Sequence, residues 1–102
     1  MSKVKVQEET AAETAQVTVD YPREGERITG TAYTFRVESK APGSVEISVD
    51  QNEWKACRQA GGYWWYDWAD YKPGAHRAVA RIRPQNGGKR HISHAVSFNV
   101  DL

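Results

Sequence analysis

Apolar residues return at every second position along most of this chain. In "QVTVDYP", Val17, Val19 and Tyr21 fall on one side, and Pro22 ends the run. "ITGTAYTFRVESK" sets Tyr33, Phe35 and Val37 against Thr34, Arg36 and Glu38, and "SVEISVD" sets Val45, Ile47 and Val49 against Glu46 and Ser48. "YWWYDW" puts Trp64, Tyr66 and Trp68 on one face and Tyr63, Trp65 and Asp67 on the other. "HRAVARIR" opposes His76, Ala78, Ala80 and Ile82 to Arg77, Val79, Arg81 and Arg83, and Val96, Phe98 and Val100 alternate near the end. A period of two marks strands with one face in a core. "REGE", "APG", "DQNE", "YKPGA" and the Asn86-Gly87 pair in "PQNGGK" supply turns between them.

The pattern predicts six or seven short strands and no helix after residue 15. Two facing antiparallel sheets bury such faces, with a closed barrel as the alternative. The expected core is Val17, Val19, Tyr33, Phe35, Val37, Val45, Ile47, Val49, Trp64, Tyr66, Ala78, Ala80, Ile82, Val96 and Phe98. The small Ala78 and Ala80 leave room for rings from the other layer. Residues 1–15, with "EETAAETA" and no sustained apolar stripe, read as a flexible N-terminal arm, and residues 16–102 as one domain.

Composition narrows the function classes. The chain has 102 residues, 39% hydrophobic and 26% charged, with a net charge of +1. That balance gives no overall case for nucleic acid or an anionic membrane. The average hides a split: residues 1–53 hold six Lys/Arg against ten Asp/Glu, and residues 54–102 hold eight against three. Cys57 is the single cysteine, so no internal disulfide staples the fold. The start of the chain has no apolar signal region, so a cytoplasmic location is the default expectation, or a secreted one if a signal peptide has been removed.

No residues assemble a catalytic or metal-binding motif. Cys57 reads as a small core hydrophobe, because no motif supplies it with a base. His91 and His94, three apart on a strand, face opposite ways and do not share a metal. Asp67 and Asp70 read as turn-capping residues rather than an acid–base pair. Arg58, Arg77, Arg81, Arg83, Lys89 and Arg90 raise the question of a nucleic-acid surface, against which the acidic first half weighs.

The stretches "YPREGERITGTAYTFRVES", "GSVEISVDQNEWKAC", "WWYDWADYKPGAHRAVARIRPQNGG" and "SHAVSFNV" together resemble a bacterial immunoglobulin-like domain of the early-set or fibronectin-like kind. The marks are the Pro22, Gly25 and Gly30 turns, the Asp50–Trp54 hairpin, the aromatic strand and the Gly74-x-His76 corner. Members commonly place tyrosine at that corner, where its hydroxyl bonds the backbone; here an imidazole nitrogen is the group available. The resemblance implies an immunoglobulin-like β-sandwich of about seven antiparallel strands. It also implies an accessory module without catalytic residues or cofactors, often found beside secreted enzymes.

The expected function is therefore a non-catalytic protein-interaction or structural module, acting on a protein partner or on itself. The alternative is a carbohydrate-binding module with an exposed aromatic platform. Trp54, Tyr63 and Trp65 are the candidate rings, and Arg58 and Asp70 the flanking polar groups. No nucleic acid, membrane, metal or cofactor is expected.

Overall fold

A computed structural model of the chain describes residues 16–84 and 90–102. The proposed arm, the Asn86-Gly87 hairpin and Lys89 lie outside the described residues. The strand segments are β1 (Val17–Tyr21), β2 (Arg27–Ile28), β3 (Ala32–Ser39), β4 (Ser44–Val49), β5 (Lys55–Ala56), β6 (Arg58–Ala60), β7 (Tyr63–Ala69), β8 (Gly74–Arg83), β9 (His91–Ile92) and β10 (Val96–Val100). They form two sheets, in the orders β1-β3-β7-β6 and β2-β10-β8-β4-β5, with β9 also paired to β8. All pairs are antiparallel except β2 with β10.

Three of the seven runs are broken in two, which is why ten segments appear. The first passes from the first sheet to the second around Pro22, whose peptide bond to Tyr21 is cis. Another crosses at Cys57. The Cys57 N–H donates to the Val45 carbonyl at 2.9 Å, extending the β4–β5 ladder, and the next residue, Arg58, pairs with Trp65 in the other sheet. The last bends between β9 and β10, where the Ser93 N–H donates to Ala80 O at 2.8 Å and the Ser93 hydroxyl accepts from Ala80 N–H at 2.9 Å. Sheet-switching strands close corners that would otherwise leave long open edges.

Alternation places the core between the layers. Phe35 is fully buried and meets Tyr33, Tyr66, Trp68 and Phe98 edge to face at 5.4–6.1 Å between ring centroids. Such geometry sets the positive edge of one ring on the negative face of another. The β3–β7 register pairs Tyr33 with Trp68, Phe35 with Tyr66 and Val37 with Trp64, so those three β7 rings all point inward. The aromatic strand thus has the faces its alternation predicts. Val17, Val19, Val45, Ile47, Val49, Ala78, Ala80, Ile82 and Phe98 are buried with Phe35 and Val37.

Some expectations change. Tyr33, Trp64, Tyr66 and Val96 pack against the core but are only partly buried. Ile28, outside every alternating run, is buried, and so is Val100, in step with Phe98. Tyr21 does not share the face of Val17 and Val19. A bulge after Val19 shifts the register so that Tyr21 stands beside Arg36, and an extra residue in one strand re-aims the side chains that follow.

Candidate functional site

The outer face of the first sheet collects aromatic rings and arginines. The β1 bulge delivers Asp20 and Tyr21 together to Arg36 on β3. The Arg36 Nε donates to Asp20 at 3.2 Å, and its guanidinium lies 4.8 Å from the Tyr21 ring centroid and 4.2 Å from that of Tyr63. Burial outweighs the attraction of Arg36 and raises Asp20 above the usual carboxylate range. Across the ladder, Trp65 stands between Arg36 and Arg58. Its indole N–H donates to the Ala60 carbonyl at 2.8 Å, and its ring meets Tyr63 at 6.1 Å and 72°. Arg58 pairs with Asp67 at 3.1 Å, and Asp67 also accepts from the Thr34 hydroxyl at 2.9 Å. The bonds from Arg58 and Thr34 lower the Asp67 carboxyl below its ordinary value.

Of the five residues singled out from sequence, the structure brings together Tyr63, Trp65 and Arg58. Trp54 and Asp70 stand elsewhere. Trp54 lies on the outer face of the second sheet, its ring 4.1 Å from the Arg81 guanidinium. Asp70 follows the end of β7 in left-handed backbone, φ 59°. At about 3.3 Å per residue it is roughly 17 Å along the strand from Trp65. Tyr71, next to it in the chain, stacks on Trp68 at 3.9 Å. Asp67 is not a turn cap but a mid-strand partner of Arg58. Tyr21 and Arg36, central to the face, carry no motif; only the β1–β3 register reveals them.

The arginines of the second half divide between the sheets. Arg58 belongs to the first, whereas Arg81 and Arg83 on the second both engage Glu46, at 2.8 and 3.7 Å. Arg58 and the β8 arginines thus stand on different sheets. His91 pairs in register with the inward Ile82 while His94 is exposed. Among the described residues no three His, Cys, Asp or Glu side chains cluster to hold a metal.

Cys57 sits at the sheet crossing. Burial, with a further contribution from the Glu46 charge, pushes its thiol up to about 12. It is protonated at neutral pH and a poor nucleophile.

At one end of the sandwich His76 occupies the corner after the "YKPGA" turn. One ring nitrogen, Nε2, lies 2.7 Å from the Lys72 carbonyl and the other, Nδ1, 2.6 Å from the Asp50 carboxylate. Carbonyl and carboxylate oxygens only accept, so the imidazolium form, with both nitrogens donating, satisfies the two contacts at once. Burial opposes the charge, but the bonds to Asp50 and Lys72 and the Asp50 charge together raise the pKa above its ordinary value. The imidazole thus makes the backbone bond that a tyrosine hydroxyl makes in the domains this chain resembles. Its ring lies edge-on to Trp68 at 5.1 Å and stacks on Phe98 at 5.9 Å.

Two sheets joined by strands that change layer, with a corner bonded back to its own backbone, define an immunoglobulin-like, fibronectin-type β-sandwich. Solved structures agree. The fibronectin(III)-like modules of CbhA from Clostridium thermocellum superpose with a TM-score of 0.67 at 20% identity, over 82% of this chain and 93% of theirs. An endo-β-1,4-mannanase from Thermotoga petrophila gives 0.70 at 15% identity over 84% of this chain, and an engineered protein gives 0.64 at 19% over 84%. The chain spans only 19% and 20% of the lengths of those two. At such identities the likeness is one of fold. No protein-family model matches the sequence, and no curated protein matches it.

Proposed function

We propose that the chain is a non-catalytic accessory module that contacts a protein partner, or a second copy of itself, through the outer face of the first sheet. The observation that carries this reading is Arg36 held between Tyr21 and Tyr63 beside Trp65. Tyrosine, tryptophan and arginine fixed by their neighbours are the side chains that dominate protein interfaces, because little freedom is lost when a partner covers them. Glycan binding on the same face is the alternative. A sugar chain needs coplanar rings, and Tyr63 and Trp65 stand at 72° to each other. The likeness to modules of a multidomain protein and to part of a mannanase supports an accessory role.

Sedimentation of the protein over a concentration series, alone and mixed with candidate partner proteins, tests the reading. Association that Trp65→Ala or Arg36→Ala weakens, with the circular dichroism unchanged, is the expected result. Absence of association in every mixture would sink it, as would a saturable response to a neutral glycan that Trp65→Ala removes.

A further inference from the structure

The outer face of the second sheet carries a groove unrelated to the surface just described. It is a hollow of about 440 Å³ lined by Ser48, Gln51, Asn52, Trp54, Arg77 and Val79. That volume falls within the range of sites for small ligands, roughly 300–1,000 Å³.

Each wall has a chemical character. The Trp54 indole is half-buried, and the Arg81 guanidinium under it, itself tied to Glu46 at 2.8 Å, fixes the ring. Arg77 differs from Arg81 and Arg83 on the same strand: its guanidinium makes no ion pair among the described residues. The Asp50 carboxylate, which bonds the Arg77 backbone, is already engaged, one oxygen by His76 and the other by the Arg77 N–H at 2.9 Å. Gln51 and Asn52 are exposed, and their side-chain amides bond no other described residue.

The rim is held in an unfavourable backbone shape. Asp50 and Gln51 both have positive φ, 57° and 62°, in the two-residue turn closed by Asn52 N–H to Val49 O at 3.1 Å. Asparagine or aspartate followed by glycine suits that turn. A glutamine at its second position is strained, and such strain collects where a side chain is kept for recognition.

An aromatic floor, an unpaired guanidinium and two free amides are the complement of a ring with an apolar face, a carboxylate and hydroxyls. We infer that this groove binds an acidic sugar, a hexuronate residue of a polysaccharide. The pyranose C–H face lies on Trp54, the carboxylate takes the two-point hydrogen bond of Arg77, and ring hydroxyls bond Gln51 and Asn52.

Isothermal titration with oligomers of galacturonate and of mannuronate tests this, with a neutral cello-oligosaccharide as comparison. The expected result is saturable binding of an oligouronate, weaker by about tenfold or more for the neutral chain and for Arg77→Gln, as loss of one charge-assisted contact implies. Trp54→Ala abolishes binding and Trp65→Ala leaves it unchanged, which separates this groove from the proposed protein-contact face. Arg77 is exposed, so its variant reads the site even if Trp54→Ala fails to fold. No saturable heat with either oligouronate overturns the inference. Equal affinity in Arg77→Gln, or displacement by acetate at the same carboxylate concentration, does so as well.

Discussion

His76→Phe isolates the corner. The substitution keeps a planar ring between Trp68 and Phe98 and removes both imidazole hydrogen bonds. A bond to a charged group contributes about 1.5–3 kcal/mol, and an ordinary one about 0.5–1.5 kcal/mol. The Asp50 side chain is 38% exposed and keeps its bond from the Arg77 N–H, so water and that amide offset part of the loss. The lower end, about 2 kcal/mol, is therefore expected on the acid side of neutrality. The pH dependence carries the sharper test. Because the folded pKa of His76 lies above 6.5, the native state holds this proton more tightly than the unfolded chain does. Its stabilisation is fully present below the unfolded value and declines as pH rises through the folded one. Urea unfolding followed by circular dichroism between about pH 5.5 and 9 should show the gap between wild type and variant narrowing with pH. His91 and His94 are common to both proteins and cancel in the difference. A gap that stays constant, or widens with pH, refutes the charged-corner reasoning.

A Cβ on Gly43 would collide with the Arg83 carbonyl oxygen and lie 2.8 Å from Ile82 Cγ2, at a φ of +130°. Gly43→Ala should therefore lower stability by about 2 kcal/mol or more in a denaturant melt, whereas Gly61→Ala, with open space around it, should lose only about 1 kcal/mol. Gln51→Gly should raise stability by about 1 kcal/mol by relieving the left-handed backbone, while weakening any oligouronate titration. With its thiol pushed up to about 12, Cys57 should resist iodoacetamide at mildly alkaline pH in the folded protein and react readily in urea; fast native-state labelling would contradict the partly buried, protonated thiol.

Strands with clean alternation were legible because one face of each is buried. Phe35, Ile47 and Ala80 could be placed from period alone, and the ring-by-ring pairing of β3 with β7 follows the same rule. What alternation misses is any place where the chain changes sheet or inserts a residue. "WKACRQA" has no period because it crosses between layers at Cys57, so Trp54 lies on the opposite sheet from Tyr63 and Trp65. Alternation groups Tyr21 with Val17 and Val19 because nothing local announces the bulge behind it. Ile28 sits in a two-residue segment too short to show a pattern, and its burial comes from pairing with Val100 at the far end of the chain. The groove around Arg77 depends on which arginine finds Glu46, a question of register that composition does not answer.

The parallel pairing of β2 with β10 has a mechanical consequence. Asn99 N–H donates to Glu26 O at 2.9 Å and Asp101 N–H to Ile28 O at 2.8 Å, with Arg27 and Asp101 joined by an ion pair at 2.8 Å. Tension applied to the chain ahead of β2 and beyond β10 pulls these two segments along their own axes in opposite directions. The cross-links between them then bear the load together in shear, instead of opening one after another like a zipper.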